Sequence, residues 1–274
     1  MINVLTVENE FKPGFFNIVK SFFSKNEILL KTAYFSNIKI NYIIVKQKKM
    51  SISWTKVKSF MNDDTQNIIC KKSLVLPSTL GFSRSNDKPF NEVLCVNSAK
   101  YVIQHLNSIP EKLKITLYDP FCEYYHILED IIMFSRHIKV ITNNVNDYLK
   151  TINPLTDAYG VCIPISNKLS WISPCNILIA PKINSKFYVS SNTLTFTTEN
   201  YTTSLNGIVF NNYKLNISSD ISKLIPNEIP AESFVAALYN TKKFSKLNLI
   251  IPDYCLSNNK IIAINEIFKY VSLI

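Results

Sequence analysis

The sequence predicts an α/β fold, with a mostly parallel sheet in the middle and C-terminal region and a smaller α+β region before it. From Lys114 onward, short apolar segments alternate with segments of helical periodicity. The segments 159–165 and 176–181 are almost entirely apolar, which is typical of parallel strands covered on both faces. With 274 residues, 47% of them hydrophobic, the chain can bury a large core or two smaller ones.

The N-terminal region alternates between the two periodicities. Ser36-Asn37 is predicted to be a hairpin turn between two strands. The polar stretch 78–89 contains Gly81 and Pro89 and marks a boundary, so we predict an α+β domain at 1–85 and an α/β domain at 86–274. The predicted elements before the boundary are helices at 15–23 and 53–61 and strands at 28–35, 38–45 and 67–77.

The second domain begins with a helix that Pro89 starts and that runs to about His105. A polar β-like stretch follows Lys182, and the tail supplies a last strand and helix. The other predicted elements are strands at 114–118, 138–142, 159–165, 176–181 and 207–210 and helices at 120–136, 145–152, 218–225 and 230–241.

The chain is basic, with a formal net charge of +10. Only Arg84 and Arg136 are arginine among the 30 basic residues, and the wealth of Lys, Asn and Ile indicates an AT-rich coding genome. Residues 1–85 hold 13 basic and 5 acidic residues, against 17 and 15 in residues 86–274. The N-terminal excess is either a solvated face or a patch for an anionic partner such as RNA, an acidic lipid surface or an acidic protein.

Six scattered cysteines form no CxxC pair, and three histidines show no ligand spacing against them. We therefore expect reduced thiols and no metal site. The first residues lack a basic and then apolar leader, and no apolar run is long enough for a membrane span. These features predict a cytoplasmic location.

The stretch YDPFCEYYHILEDIIMFSRHIKVITNN (118–144) has the pattern strand, turn, helix, strand. Over roughly 114–181 the chain resembles a Rossmann-like domain, in which a GxGxxG turn follows the first strand and binds a pyrophosphate. Here the three glycine positions fall on Asp119, Phe121 and Tyr124, so the resemblance is to a degenerate member without the glycines.

The missing glycines disfavour ordinary NAD or FAD binding. Phe121 places a ring where the pyrophosphate would lie, and Pro120 has no N–H to donate. Asp119 and Glu123 add two carboxylates, and unit charges about 4 Å apart repel by roughly 4 kcal/mol near a protein surface. Asn143 stands in the region where the family has its ribose-binding acid.

The same residues also fit a purely structural interpretation. Asp119 is a suitable N-cap and Pro120 a suitable first residue for a helix that runs to residue 136. Its buried stripe would consist of Tyr124, Ile127, Leu128, Ile131 and Ser135.

A ligand interpretation remains open beside it. Asp119, Glu123 and Asn143 are expected at the carboxyl edge of the sheet, where they could bind ribose hydroxyls, an amine or a cation. The stretch also resembles the first motif of methyltransferases, with Asp119 in place of their aspartate. That resemblance implies S-adenosylmethionine, which carries no phosphate, and a nicotinamide nucleotide is the other adenosyl-type candidate.

Three hypotheses about function follow from the sequence. The first is an intracellular, non-catalytic binding or assembly module with a small-molecule or protein partner. The second is an enzyme or sensor for an adenosyl-type ligand held by Asp119, Glu123 and Asn143. The third is an adaptor whose basic N-terminal region contacts an anionic partner. No catalytic motif is present, so the sequence assigns no catalytic residue and leaves open whether the protein is an enzyme.

Overall fold

The computed structural model describes residues 1–10, 24–49, 51–62, 64–106, 109–199, 206–241 and 250–271. The chain divides into two units, one of residues 1–89 and 217–247 and the other of residues 90–216 and 248–274. Residues 217–247, which the sequence analysis assigns to the second domain, therefore belong to the first unit. The helix predicted at 15–23 lies outside the described residues.

Strands and helices are interspersed along the described part of the chain. The strands are β1 (Ile2–Asn9), β2 (Glu27–Phe35), β3 (Ile38–Gln47), β4 (Ile69–Cys70), β5 (Lys114–Tyr118), β6 (His137–Ile141), β7 (Ile165–Ser166), β8 (Ile177–Ala180), β9 (Leu194–Thr197), β10 (Ile208–Lys214), β11 (Tyr254–Ser257) and β12 (Lys260–Ala263). The α-helices are α1 (Trp54–Phe60), α2 (Lys88–His105), α3 (Ile127–Ile131), α4 (Val145–Tyr159), α5 (Ser219–Ser222), α6 (Ala231–Asn240) and α7 (Phe268–Val271). Short 3₁₀ helices occur at Ser78–Leu80, Leu169–Trp171 and Ile264–Glu266.

The first unit contains a mixed four-stranded sheet in the order β2-β3-β1-β4. The predicted hairpin is confirmed, because β2 and β3 pair antiparallel and both Ser36 and Asn37 have positive φ, as a two-residue type I′ turn requires. Strand β1 pairs parallel with both β3 and β4. One sheet face packs on α1 through a core that includes Leu5, Ile43 and Val57.

The second unit contains an eight-stranded sheet in the order β12-β11-β10-β9-β8-β5-β6-β7. The strands from β7 to β10 pair parallel, and β11 and β12 join antiparallel at one side. The prediction of an α/β fold with a mostly parallel sheet is therefore confirmed, including the parallel pairing of 114–118 with 137–141. Strands β8 and β9 are buried along their whole length. The sequence of β8, ILIA, is entirely apolar, whereas β9, LTFT, also buries two threonines.

Several element boundaries were predicted wrongly, among them the strand at 67–77, which is reduced to β4. The helix expected at 120–136 is reduced to α3, because Cys122 adopts a left-handed backbone with φ of 60° and interrupts a helix there. The burial of its predicted stripe is nevertheless confirmed. The strand expected at 159–165 is reduced to β7, because α4 continues through Pro154 and ends at Gly160, which has φ of 62°.

Arg84 fixes the turn after β4 in the first unit. Its guanidinium donates to four backbone carbonyls, those of Cys70, Lys71, Lys72 and Leu74, at 2.8 to 3.2 Å. One of the two arginines therefore binds the chain itself rather than presenting its donors outward.

We predict that Arg84→Ala lowers the free energy of unfolding by about 2 kcal/mol, because charge-assisted hydrogen bonds to this turn are lost. Lys72→Ala is the matched control, since it removes a neighbouring exposed cation and keeps every donor of Arg84. Urea unfolding measures both variants, and an equal loss in the two would contradict a structural role for the guanidinium.

Candidate functional site

The candidate site lies where β5 and β8 end at the carboxyl edge of the parallel sheet. The two strands are hydrogen-bonded neighbours, so the segments that follow Tyr118 and Ala180 leave the sheet side by side. The phenol of Tyr118 donates to the side-chain oxygen of Asn184, which joins the two segments directly. The predicted site residues Asp119 and Glu123 lie in the first segment, and Asn143 follows the adjacent strand β6.

Asp119 is completely buried, and both of its carboxylate oxygens accept hydrogen bonds. The backbone N–H of Glu123 donates to Oδ1 at 3.0 Å, and that of Tyr124 donates to Oδ2 at 2.8 Å. The hydroxyl of Tyr148, on α4, also donates to Oδ2 at 3.2 Å. Burial raises the pKa of Asp119, although these three donors oppose the shift. The carboxylate therefore organises the loop after β5 and does not face solvent.

The loop after β5 makes its tight turn without glycine. The N–H of Cys122 approaches the carbonyl of Asp119 at 3.4 Å, and Cys122 itself takes the left-handed conformation. A side chain with a Cβ is strained in that region by about 1–2 kcal/mol. The two N–H groups that Asp119 accepts follow directly, so the buried carboxylate offsets the strain of the turn.

A network of charged groups connects this loop to the segment after β8. The ammonium of Lys182 contacts Oε2 of Glu123 and, at 3.4 Å, Oε2 of Glu92 on α2. The same Glu92 oxygen accepts a 2.8 Å hydrogen bond from the buried hydroxyl of Tyr124. Burial alone would lower the pKa of Lys182. The hydrogen bond to Glu123 and the charge of Glu92 outweigh burial and raise this pKa. Of the two acidic residues expected from the sequence, Glu123 is thus paired with a lysine, whereas Asp119 is held by hydrogen bonds within the loop.

Asn143 lies beside the loop without joining this network. Its backbone N–H approaches the carbonyl of Pro120 at 3.4 Å, and its side chain is exposed. Phe121 is half exposed, and its ring centroid lies 6.0 Å from the ammonium of Lys182. The structure therefore brings Asp119 and Glu123 together and leaves Asn143 and Phe121 at the surface of the site.

Sequence reasoning missed Glu92, Tyr148 and Lys182. Lys182 had a usable signal, since it follows the apolar segment 176–181 and the ends of parallel strands gather at one edge. Glu92 had none, because it lies on a separate helix 32 positions before its partner Tyr124.

The site offers no activated nucleophile among the described residues. Burial raises the pKa of the Cys122 thiol, and the carboxylates of Asp119 and Asp147 add to the shift. Burial also lowers the pKa of His126. Cys122 and His126 do not share a helix, because α3 begins only at Ile127.

Within the described ranges, no three His, Cys, Asp or Glu side chains come together in a way that would hold a metal ion. Among the same residues, no helix is both long and apolar enough to cross a bilayer.

The basic N-terminal region carries acidic partners on its own sheet. Lys46 stands in register with Glu8 on one neighbouring strand and Glu27 on the other. Lys48 lies 3.3 Å from Glu27. A concavity of about 570 Å³ on this sheet is lined by both signs of charge, including Lys31, Lys223, Glu8 and Glu228. In the described part of this region, acidic side chains thus lie beside the basic ones, although the net charge is positive.

Comparisons with protein-family models, curated proteins and solved structures found no match to this chain. Its function therefore has to be inferred from the geometry of its own residues.

We predict that Asp119→Asn lowers the free energy of unfolding by about 2 kcal/mol, since the amide nitrogen cannot accept the donors that share Oδ2. The deficit should narrow with rising pH. A carboxyl whose pKa is raised in the folded state stabilises below its ordinary value of 3.8 and loses that contribution as pH rises through the folded value. Urea unfolding across acidic to neutral pH measures the difference, with the exposed Asp157→Asn as control. A deficit that widens with pH would contradict the assignment.

We also predict that Cys122→Gly raises the free energy of unfolding by about 1 kcal/mol, because glycine adopts positive φ without a Cβ clash. Cys122→Ala separates this effect from loss of the thiol, since alanine keeps the Cβ and should bring no gain. Chemical denaturation compares the two variants, and equal stabilities would show that the left-handed turn carries no strain.

Proposed function

We propose that the second unit is a Rossmann-like domain that serves as a non-catalytic binding or assembly module. Taken in chain order, the six strands β5 to β10 lie in the order 3-2-1-4-5-6, which is the strand order of that fold. The parallel pairing of all six supports the assignment, and the antiparallel β11 and β12 are an addition to it.

In such sheets a ligand enters the crevice where the strand order reverses, which here is the gap between the ends of β5 and β8. Lys182 bridges this gap to Glu123 and Glu92, and this bridge is the observation that carries the proposal. A diphosphate at this position would have to displace the lysine from two carboxylates and then lie beside them.

Two buried polar groups of the site, those of Asp119 and Tyr124, also have hydrogen-bond partners within the chain. Asp119 has both oxygens engaged inside the loop, and Tyr124 is held by Glu92. Burial raises the pKa of Tyr124 and the hydrogen bond to Glu92 adds to it, so this phenol is a poor acid or base. Side chains of the chain itself thus take the interactions that an active site would offer to a substrate.

We predict that NAD⁺, NADPH, S-adenosylmethionine and ATP do not bind at the carboxyl edge. None of them should therefore cause a rise in melting temperature that a variant at this edge abolishes. The probes are Phe121→Ala and Asn143→Ala, both surface changes that leave the buried network intact. Tyr254→Ala, an exposed aromatic on β11, is the matched control for Phe121→Ala. Thermal unfolding with and without each ligand gives the readout.

A rise that Phe121→Ala or Asn143→Ala abolishes, and Tyr254→Ala keeps, would contradict the proposal that no nucleotide-type ligand binds at the carboxyl edge. It would favour the second candidate, an enzyme or sensor for an adenosyl-type ligand. Phe121 and Asn143 favour this alternative, because a half-exposed ring and an exposed amide beside the crevice could stack on adenine and bind a ribose hydroxyl.

A further inference from the structure

The opposite, amino edge of the parallel sheet contains a pocket of about 330 Å³. Its lining includes the first residues of two adjacent strands, Lys114 of β5 and His137 of β6, which stand in register. Pro164 and Pro174, which precede the next strands on either side, contribute to its walls. The pocket and the carboxyl-edge network therefore lie at opposite ends of the same strands.

Three cationic side chains line this pocket, those of Lys114, Arg136 and Lys139, and no acidic side chain among the described residues lines it. One of these cations has an acidic neighbour: the carboxylate of Glu111 lies 3.3 Å from Nε of Arg136. Both members of that pair are more than half exposed, so solvent screens their attraction. The pocket thus keeps a net positive charge.

Of the three cations, Lys139 alone is partly buried. It faces the same side of the sheet as Lys114, because side chains two residues apart on a strand share a face and Lys114 pairs with His137. Its ammonium donates to the carbonyl of Pro174 at 3.2 Å and has no carboxylate partner in the described residues. Burial lowers the pKa of Lys139, and the charge of Lys114 lowers it further, although the Cys175 thiol opposes the shift. An anion in the pocket would relieve both effects.

The shape and lining of the pocket restrict the kind of anion. A volume of about 330 Å³ lies at the small end of ligand sites, which span roughly 300–1,000 Å³. No Phe, Tyr or Trp lines it, so it lacks the stacking surface with which proteins hold single-stranded nucleic acid. Lysine and arginine together supply point charge and a planar donor fork, a combination suited to phosphate oxygens.

We propose that the amino-edge pocket is a binding site for a compact phosphate-bearing small molecule, held by Lys114, Arg136 and Lys139. This site goes beyond the binding module proposed above and uses none of its residues. The two ideas can therefore fail separately: Phe121→Ala and Asn143→Ala should leave binding at the amino edge unchanged.

The test is isothermal titration of the full chain with pyrophosphate at low ionic strength. We expect Lys139→Met and Arg136→Gln each to weaken binding about tenfold, as loss of one charge-assisted contact implies. Lys260→Gln, a cation on the distant edge strand β12, is the matched control and should bind like the unmodified chain. Added sodium chloride should weaken binding, because the contacts are ionic.

Lys139→Met removes a partly buried charge, so the variant should fold at least as stably as the parent, and its melting temperature verifies this. Lys114→Met is a second variant at an exposed position of the same pocket. Absence of pyrophosphate binding would overturn the proposal. So would binding that all three pocket variants retain, or single-stranded RNA binding more tightly than pyrophosphate and equally well to Lys139→Met.

Discussion

The buried carboxylate of Asp119 determines the shape of the loop that follows the central strand β5. A buried carboxylate is stable only when its oxygens accept hydrogen bonds, and Asp119 accepts them from two backbone N–H groups and from Tyr148. Those N–H groups belong to Glu123 and Tyr124, so their positions are set as well. The loop then presents Glu123 toward Lys182 and Tyr124 toward Glu92. A single internal anchor thereby sets the positions of Glu123 and Tyr124 at the carboxyl edge.

The two edges of the parallel sheet consequently differ in electrostatic character. At the carboxyl edge, Lys182 contacts two carboxylates, and a net negative charge remains. At the amino edge, Lys114, Arg136 and Lys139 surround a concavity whose described lining contains no acid. An edge whose charges already have partners gains little from binding an ion, whereas an edge with uncompensated like charges gains from an anion. A small anion would therefore be stabilised more at the amino edge of this sheet than at its carboxyl edge.

A shortage of glycine shapes the loops of the whole chain. With only four glycines available, eight other residues among those described adopt positive φ, and six of these are asparagines. Asparagine tolerates the left-handed region because its short polar side chain bonds locally. Cys122 is a costlier choice, and it stands where the loop needs a tight turn just before the N–H groups that Asp119 accepts. The absence of a GxGxxG motif is therefore compatible with a sharp turn after β5.

The sequence by itself determined the strands β5, β6 and β8, the hairpin at Ser36-Asn37 and the burial of Tyr124 and Ile127, because each depends on periodicity within a short segment. It could not determine where the helix after Asp119 begins, since an aspartate followed by proline suits an N-cap as well as a buried anchor. Only the tertiary structure brought Glu92, Tyr148 and Lys182 to the site and Lys114, Arg136 and Lys139 into one pocket. These contacts join residues far apart in the chain, and which of them meet is decided by strand order and packing, which local patterns do not encode.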